Sequence, residues 1–593
     1  MRRLIFTLFV FTIFLSTGFQ FGDGIIQKQN NNIAYIPDVL GRVNILDKDG
    51  KTFIAHTDNP DSFPMYSGYP VSITSANTNE GGIFCNMDGD PELEILYNTG
   101  LSTQARNLDG SSVPGWPKIY SQSADGAPSY GDIDGDGQGE IVVAVRGATI
   151  SSGGSIQAFE LNGSPVTGFP INHGFCWRSP VLADLDNNGS MEIIVPKRTA
   201  SGSEMYVYKG DGTIFPGWPK PLLGSPASSA AVGNIDNSPG LEIVMESSNT
   251  LQIWHANGDS LAGFSFTLPN GDNFSYSSPV LVDVNGDNTK EIIIGSHGGS
   301  GGYVYIVNTS GTILPNWPKT TAQWVFSAPA VGYIDNDNIL DIAVGDEVSS
   351  GTPADFVYAW NVNGTALSGF PIGPLNAING QITLADVDND NMTELIFDDN
   401  TWGPGRYLGY NHDGTPMSGW PIEITGASFF STVILTDLNR DGMLDIAGTG
   451  NVITSQTVYM YLWNTGTPYN TSRMFNPVWQ YNVQHTGEYG DRTLVNVNMV
   501  SNQTPESFKL HQNYPNPFNP STNIKFDITK SSNVRLTVYD MLGKEVKTLF
   551  TGDLNAGSYE YNFNAEGLTS GVYFYRLFAN GETIGVNKML LIK

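Results

Sequence analysis

The chain has 593 residues, of which 40% are hydrophobic and 15% are charged, a composition that excludes a disordered or fibrous protein. Its 58 Asp and Glu against 29 Lys and Arg leave a formal charge of −29, which would repel nucleic acid. With two cysteines in the sequence, a disulfide scaffold and a cysteine-based zinc cluster are excluded as well. The abundance of glycine (67) and proline (34) favours short strands joined by tight turns.

The first 18 residues have the pattern of a signal peptide. Arg2 and Arg3 form a basic start, residues 4–15 are an apolar run, and small residues follow up to Gly18. A helix of residues 4–15 would rise roughly 18 Å, too little for a hydrocarbon core about 30 Å thick. We therefore expect export with cleavage near Gly18. No later apolar run is long enough to predict a transmembrane span in the mature chain.

One segment type recurs eight times in the middle of the chain. Each copy follows a short apolar stretch, carries Asp or Asn at most of its positions 1, 3 and 5, and has an acid at position 9 that opens a β-branched stretch. The first positions are 46 to 53 residues apart, a spacing typical of a repeat array. In repeats one to eight these first positions are Asn86, Asp132, Asp184, Asn234, Asp283, Tyr333, Asp386 and Asp437.

A second marker, an aromatic residue usually followed by proline, runs in phase with the first. Strand-like segments between the two markers end in turns such as Asp211-Gly212. The two markers therefore predict four strands in each unit of about 50 residues, which is the size of a propeller blade. A solenoid would need shorter and more uniform units. We predict an all-β chain with an eight-bladed β-propeller at residues 35–490. The aromatic markers are Tyr69, Trp116, Phe169, Trp218, Phe264, Trp317, Phe370 and Trp420.

The loop and the strand that follows it resemble the FG-GAP/VCBS repeats of integrin α-subunit propellers and of many bacterial surface proteins. The resemblance covers residues 35–490, including the segment at residues 479–487. Integrin propellers have seven blades, so a seven-bladed ring remains the alternative to the eight that the repeats indicate.

The oxygen-rich loops have the donor set of a hard cation. Side chains at positions 1, 3 and 5 converge, and the acid at position 9 closes the shell from a strand rather than from the helix of an EF-hand. Such loops suit Ca²⁺ better than Mg²⁺, although Asp/Asn/Gly loops can also be simple turns. Repeats four and six depart from the pattern at Asn234, Ser238 and Tyr333. The predicted calcium ligands are Asn86, Asp88, Asp90 and Glu94; Asp132, Asp134, Asp136 and Glu140; Asp184, Asp186, Asn188 and Glu192; Asp283, Asn285, Asp287 and Glu291; Asp386, Asp388, Asp390 and Glu394; and Asp437, Asn439, Asp441 and Asp445.

A second module follows a predicted linker at residues 491–506. Residues 507–593 predict a small immunoglobulin-like β-sandwich, because apolar and polar residues alternate in short runs. The motif Asn-Tyr-Pro-Asn-Pro-Phe-Asn-Pro-Ser-Thr at 513–522 and the basic-ended tail at 588–593 closely resemble the C-terminal sorting domain of type IX secretion cargo. The resemblance implies a Gram-negative, Bacteroidota-like source, partnership with the type IX secretion machinery, and release or attachment at the outer-membrane cell surface.

The segments that join one unit to the next are predicted to share one face of the ring, opposite the acidic loops. His173, Trp177, Arg178 and Trp324 lie there and are candidate ligand-binding residues, because aromatic rings with an arginine suit stacking on sugars. The favoured function is adhesion through a glycan or an extracellular protein, with no catalytic residue assigned. The alternatives are a polysaccharide lyase or other carbohydrate-active enzyme on the same scaffold, and aromatic residues that only pack blade against blade.

The two cysteines are not expected to form a disulfide bond. Cys85 and Cys176 fall at different points of repeats one and three, which places their Cα atoms beyond bridging distance. We therefore predict two buried free thiols.

Overall fold

The structure is a computed structural model. It describes residues 63–490 and 497–592, together with the backbone of five strands between residues 20 and 55. Gaps inside these ranges fall at 75–79, 91, 151–152, 227, 300, 336, 338, 348–352, 400–404, 429, 471–472, 502–504, 506, 520, 531, 540, 542–543, 555–556, 566–567 and 580–581. The predicted signal peptide at residues 1–18 lies outside the described residues.

The fold is all-β and propeller-like, which confirms the predicted class. In the described part of the chain the one helical element is a single 3₁₀ turn, Pro269–Gly271. Repeats one to seven each give four antiparallel strands of one sheet, and repeat eight gives three. The first strand leads into the acidic loop, and the second begins at or near position 9. Buried β-branched and aliphatic residues fill these short strands, as expected for strands covered on both faces.

The sheets are numbered by their repeats. Their strands, in order from the first, are as follows: sheet 1, Gly82–Cys85, Glu94–Asn98, Gly100–Arg106 and Lys118–Ala124; sheet 2, Ser129–Gly131, Glu140–Val145, Ser155–Phe159 and Ile171–Asn172; sheet 3, Val181–Ala183, Glu192–Thr199, Gly202–Tyr208 and Lys220–Leu222; sheet 4, Ala231–Gly233, Glu242–Ser247, Thr250–His255 and Phe266–Thr267; sheet 5, Val280–Val282, Glu291–Gly298, Gly301–Val307 and Lys319–Thr321, with Asn273–Phe274 added beside the second strand; sheet 6, Ala330–Gly332, Asp341–Gly345, Asp355–Asn361 and Ile372–Leu375; sheet 7, Thr383–Ala385, Glu394–Asp398, Arg406–Tyr410 and Ile422–Glu423.

Sheet 8 joins the two ends of the repeat array. Its first three strands, Ile434–Thr436, Met443–Val452 and Thr457–Pro468, come from repeat eight, and its fourth strand, Val71–Thr74, precedes repeat one. The short strand Met65–Tyr66 also pairs with the third strand, at Trp463. An antiparallel meander continues outward from it through Gln20–Gly22, Ile25–Gln27, Ala34–Pro37, Val43–Leu46 and Thr52–Ala55. The strands joined to this sheet thus begin before residue 35, the predicted domain start.

Neighbouring sheets are tied together by the aromatic markers. The Trp218 indole nitrogen donates a hydrogen bond to the Ala256 carbonyl of the next sheet at 2.8 Å, and Trp116 and Trp317 make the corresponding bonds. Gly217, just before Trp218, has a positive φ of 92°, and a Cβ there would overlap the Asn257 carbonyl oxygen of that sheet. Glycine is therefore needed before the aromatic residue because the two backbones approach so closely.

A segment after sheet 8, residues 474–489, contacts the first strands of the sheets; we call it the central segment. Its carbonyl oxygens accept the backbone N–H groups of Tyr130, Leu182, Val232, Leu281 and Leu435 at 2.8–3.0 Å. The Tyr481 hydroxyl accepts the Val331 N–H, and Asn476 accepts that of Leu384. The central segment thus satisfies strand edges in seven of the eight sheets, edges that would otherwise be unpaired.

The C-terminal residues form a separate two-sheet sandwich. One sheet has the order Val497–Ser501, Gly557–Asn564, Ser521–Ile528 and Lys509–Leu510, and the other Glu545–Leu554, Ser532–Tyr539, Gly571–Ala579 and Glu582–Leu591. Buried Phe526, Leu536 and Tyr575 belong to the core that the two sheets share. Because Val497–Ser501 pairs with Gly557–Asn564, part of the range predicted as a linker belongs to this sandwich.

Cys85 and Cys176 are buried and free, which confirms that prediction.

Candidate metal-binding loops and a pocket on the opposite face

The acid at position 9 has the same structural role in all eight repeats. One of its carboxylate oxygens accepts the backbone N–H of position 2, at 2.6–3.1 Å. In repeat two, for example, Glu140 accepts the Ile133 N–H at 2.8 Å. Repeats four and six keep this bond although their other loop positions depart from the pattern. Position 9 is therefore acidic partly because it closes the loop, and its recurrence alone does not indicate a metal.

The repeats differ in whether the second carboxylate oxygen at position 9 has a hydrogen-bond partner. In Glu140, Asp341 and Glu394 this oxygen is buried without a hydrogen-bond partner, and so is Oδ1 of Asp386. An unsatisfied buried carboxylate oxygen is costly, and a cation would remove that cost. Repeats two, six and seven thus keep an oxygen directed to a possible ion.

In repeats four, five and eight the second oxygen has a protein partner. His255 Nδ1 lies 3.0 Å from Glu242 Oε1 in repeat four, and the Asn285 amide donates to Glu291 Oε1 at 3.0 Å in repeat five. In repeat eight, Tyr66 and Asn464 donate to Asp445 Oδ1 at 2.9 and 3.1 Å. These arrangements make repeats five and eight weaker metal candidates than their sequences suggest, since those partners would have to move before an ion could bind.

Carboxylate oxygens come together in four of the six repeats with predicted ligand sets. In repeats one, two, three and seven, one oxygen from each of three acids lies within 4.8 Å of the others. Repeats five and eight have asparagine at position 3, so their loops bring fewer acids together. The acids that meet are Asp88, Asp90 and Glu94; Asp132, Asp134 and Asp136; Asp184, Asp186 and Glu192; and Asp386, Asp388 and Glu394.

The electrostatics of these loops favour a bound cation. Burial, followed by the charges of neighbouring loop acids, raises the pKa of Glu140 and of Glu394 to about 8. The same causes raise the pKa of Glu94, Glu192 and Glu291 to about 7. Clustered carboxylates that resist ionisation in this way are stabilised when a divalent ion neutralises them. The loops of repeats one, two, three and seven could hold a hard cation through oxygen atoms alone.

The opposite ends of the sheets carry a pocket. Because the strands are antiparallel, the acidic loops and the third turns lie at one end of each sheet, while the second turns and the inter-sheet links lie at the other. At that second end a cavity of about 310 Å³ is lined by residues that precede or belong to sheets 1, 2, 3, 5, 6 and 8. Its aromatic lining residues are Trp177, Tyr276, Phe326 and Phe430.

Charged residues line the same pocket in pairs. Arg178 Nη1 donates to Glu80 Oε1 at 2.7 Å, and Arg146 Nε lies 3.0 Å from Asp125 Oδ2. The Arg178 guanidinium also lies over the Tyr276 ring, 4.5 Å from its centroid. A fifth charged group, Glu347, completes the lining. Trp177 and Arg178, predicted to bind a ligand, thus meet here. Nothing in the sequence pattern indicated a site role for Glu80, Asp125 or Arg146, because polar residues in links and turns carry no periodic signal.

His173 and Trp324 are not part of this lining. His173 is 1% exposed, with its ring nitrogens 3.0 Å from the Tyr208 hydroxyl and 3.2 Å from the Pro196 carbonyl oxygen. The candidate ligand-binding role of His173 is therefore wrong, because a side chain buried in sheet 3 cannot reach a ligand. Trp324 is 41% exposed and packs against Phe326, so it lies beside the pocket and outside its lining.

The burial of His173 predicts a pH-dependent stability. Burial lowers its pKa from 6.5 to about 4. Between these values the unfolded chain binds a proton that the folded chain does not, so stability present above pH 6.5 is lost as pH falls towards 4, by up to about 3 kcal/mol. We expect His173→Phe to be less stable at pH 7 but to lose less stability on acidification. Urea unfolding of both proteins from pH 7 to 4.5, in saturating calcium, measures this; parallel losses would contradict it.

Comparison with known families agrees with the two parts of the fold. A model of the secretion system C-terminal sorting domain matches residues 512–593, and a model of the FG-GAP-like repeat matches residues 132–195. The chain thus carries an FG-GAP-like repeat and a type IX sorting domain, as the sequence resemblance indicated. The sorting domain indicates export by type IX secretion to the cell surface or the extracellular space. Among the described residues, no helix has the length and hydrophobicity needed to cross a membrane.

Several solved structures resemble the backbone at low sequence identity. The Vibrio cholerae biofilm matrix protein Bap1 is 12% identical, with a TM-score of 0.49 over 72% of this chain and 96% of its own. The Neurospora crassa Pan2 WD40 domain is 13% identical, with a TM-score of 0.32 over 58% and 90%. A Pseudomonas putida quinohemoprotein alcohol dehydrogenase is 10% identical, with a TM-score of 0.33 over 75% and 74%. A search of the curated proteins gave no match.

Proposed function

We propose that this protein is a secreted calcium-binding adhesion module: a closed eight-bladed β-propeller followed by an immunoglobulin-like sorting domain. Sheets 1 to 8 are the blades. Two features support the ring: the strand Val71–Thr74 completes sheet 8, and the central segment is hydrogen bonded to first strands of seven sheets. Eight loops then lie on one face, and the pocket lies where the links meet on the other.

Calcium is the cation we assign to the loops. Carboxylate and amide oxygens from a flexible loop are its usual ligands, and soft or nitrogen donors are absent from the described sets of repeats one, two, three and seven. Repeats two and seven are the strongest sites, since each combines three converging acids with a buried, unpartnered oxygen at position 9. The ions would hold the loops and thereby the blade edges, a structural role.

The pocket carries the adhesion proposal. One observation supports it most directly: links from six different sheets place aromatic and charged side chains around a single cavity. Aromatic walls with a few fixed polar groups are typical of ligand sites, and the favoured ligand is a glycan or an extracellular protein. Each arginine in the lining is paired with a carboxylate and is therefore not free to neutralise a uronate, an arrangement that favours binding over lyase chemistry.

The test uses the secreted full chain in calcium. Binding is measured on a glycan array and on extracellular protein fractions, and uronate-containing polysaccharides are incubated with the protein to detect unsaturated products. Retention of a glycan or protein without product supports adhesion. Unsaturated product would support the lyase instead, and neither retention nor product would reject the adhesion role. Metal analysis after dialysis against calcium tests the loops independently, and a protein without bound calcium would reject that part.

A further inference from the structure

Four of the nine residues that line the pocket are aromatic. Tyr276 lies at its centre, with its ring centroid 5.0 Å from that of Phe326 and 5.6 Å from that of Phe430, both in edge-on arrangements. Tyr276 is 41% exposed, and the Arg178 guanidinium that lies over its ring is also 5.8 Å from the centroid of the Trp177 ring. Flat ring surfaces of this kind stack on the C–H faces of sugar rings or on apolar side chains.

The charges of the pocket are largely compensated from within. Glu80 accepts hydrogen bonds from Arg178, from the Ser179 hydroxyl at 2.6 Å and from the Ala127 N–H at 3.3 Å. Asp125 is held by Arg146 at 3.0 Å and by the Ser123 hydroxyl. Two guanidinium groups face three carboxylates, since Glu347 also lines the pocket, and the buried Nε and Nη2 atoms of Arg178 have no hydrogen-bond partner in the described part of the chain. A negatively charged ligand would meet these carboxylates and would have to separate a guanidinium from one of them, whereas a cationic ligand would meet two arginines. In either case the charged ligand would have to be desolvated, and the new ion pair would have to offset that cost in free energy.

Backbone conformation at the pocket points to a ligand as well. Glu80 and Phe430 have positive φ values of 71° and 55°. Left-handed backbone is unfavourable for residues with such side chains, and strain of this kind clusters at binding sites. The residues with this backbone conformation, Glu80 and Phe430, contribute one carboxylate and one aromatic ring to the same cavity.

We infer that this pocket binds an uncharged, hydroxyl-rich sugar of a glycan chain, an assignment that rests on the proposed adhesion function. Tyr276 and Trp177 supply the stacking surfaces. The paired guanidinium and carboxylate groups of Arg146 and Asp125 exchange hydrogen bonds with hydroxyl groups, which both donate and accept without adding charge. A cavity of about 310 Å³ is at the small end of ligand pockets and suits roughly one or two sugar rings.

Calorimetric titration of the full chain tests the inference. The probes are neutral hexasaccharides of β-glucan, α-mannan and galactan, hexauronates of alginate and polygalacturonate, and a lysine-rich peptide, all in calcium buffer. We expect at least one neutral hexasaccharide to bind, and the hexauronates and the peptide to bind at least about tenfold more weakly. Failure of every neutral probe at millimolar concentration overturns the inference, as does tighter binding of a charged probe.

Two aromatic variants locate the site. Tyr276→Ala and Trp177→Ala are each expected to weaken neutral-sugar binding about tenfold, because each removes a stacking surface. Tyr333→Ala is the matched control, since Tyr333 is a 37% exposed tyrosine of repeat six on the acidic-loop face. Its binding should stay within about twofold of the unmodified chain. Melting curves confirm that all three variants fold, and equal binding by all of them overturns the assignment.

A charge variant tests the reason for neutrality. Asp125→Asn leaves the 40% exposed Arg146 without its carboxylate partner. We expect this variant to gain at least about tenfold in affinity for a hexauronate. An unchanged affinity of this variant for the hexauronate would contradict the charge-based reason for neutral-sugar binding and with it the inference. If the chain retains an extracellular protein in calcium but no sugar, the inference fails and the proposed adhesion function stands; if it retains neither, both fail.

Discussion

Removing calcium with EGTA is expected to lower the melting temperature of the protein on the order of 10 °C. Each ion bound only by the folded chain stabilises it by about 2.7 kcal/mol at a free concentration one hundred times its dissociation constant. The contributions of several occupied loops would add. A domain of this size has a large entropy of unfolding, so each kcal/mol of lost stability lowers its melting temperature only slightly. Calorimetric scans with calcium and with EGTA measure the effect. Identical scans would contradict the calcium assignment.

A pair of variants separates the ion from the loop closure. Glu140→Gln keeps an oxygen that can accept the Ile133 N–H but removes the charge that a cation needs. Glu242→Gln makes the same change in repeat four, where His255 already holds the second oxygen. We expect Glu140→Gln to lose one bound calcium and part of the calcium-dependent shift. Glu242→Gln should lose neither. Equal effects of the two substitutions would show that position 9 acts in loop closure alone.

Replacing residues 475–489 with a glycine-serine segment of the same length is expected to abolish cooperative folding of the repeat domain. A glycine-serine segment keeps main-chain carbonyl oxygens but lacks the buried Trp479, Tyr481 and Val483 side chains that hold the central segment against the sheets. The N–H groups of Tyr130, Leu182, Val232 and Leu281 would therefore lose their acceptors. Each buried group left unsatisfied costs about 1–3 kcal/mol, and the sum is comparable to the stability of an ordinary domain, about 5–15 kcal/mol. Limited proteolysis and calorimetry of the purified chain measure the loss.

The control replaces the exposed hairpin at residues 453–456 in the same way. That turn joins two strands of sheet 8 and has no contact with the central segment among the hydrogen bonds described, so the change should cost little. A cooperative transition of normal temperature in the first variant would contradict the role assigned to the central segment.

The period of the fold could be predicted from the sequence, whereas the strand that completes sheet 8 could not. Eight loops at regular spacing are visible in one sequence because each repeats the same local chemistry. The pairing of Val71–Thr74 with the third strand of sheet 8 joins residues almost 400 positions apart, and no local pattern specifies it. The same holds for the central segment, whose partners are spread over seven sheets.

The candidate sites show the same division. The converging acids of repeats one, two, three and seven follow from spacing. The role of Tyr66 and Asn464 in repeat eight depends on tertiary neighbours that the loop sequence does not reveal. Trp177 and Arg178 lie in the pocket whereas His173, four residues before Trp177, is buried. In an irregular link, no periodicity distinguishes an inward from an outward side chain.

The position of the central segment has a consequence for biosynthesis. The repeat domain can be completed only after residues 474–489 have emerged, and the sorting domain is the part of the chain made after them. A product interrupted anywhere in the repeats would therefore lack the sorting domain that type IX secretion requires, even though it would carry the predicted signal peptide. The order of the chain thus couples type IX export to completeness, because every molecule that carries the sorting domain also carries all the strands of the repeat domain.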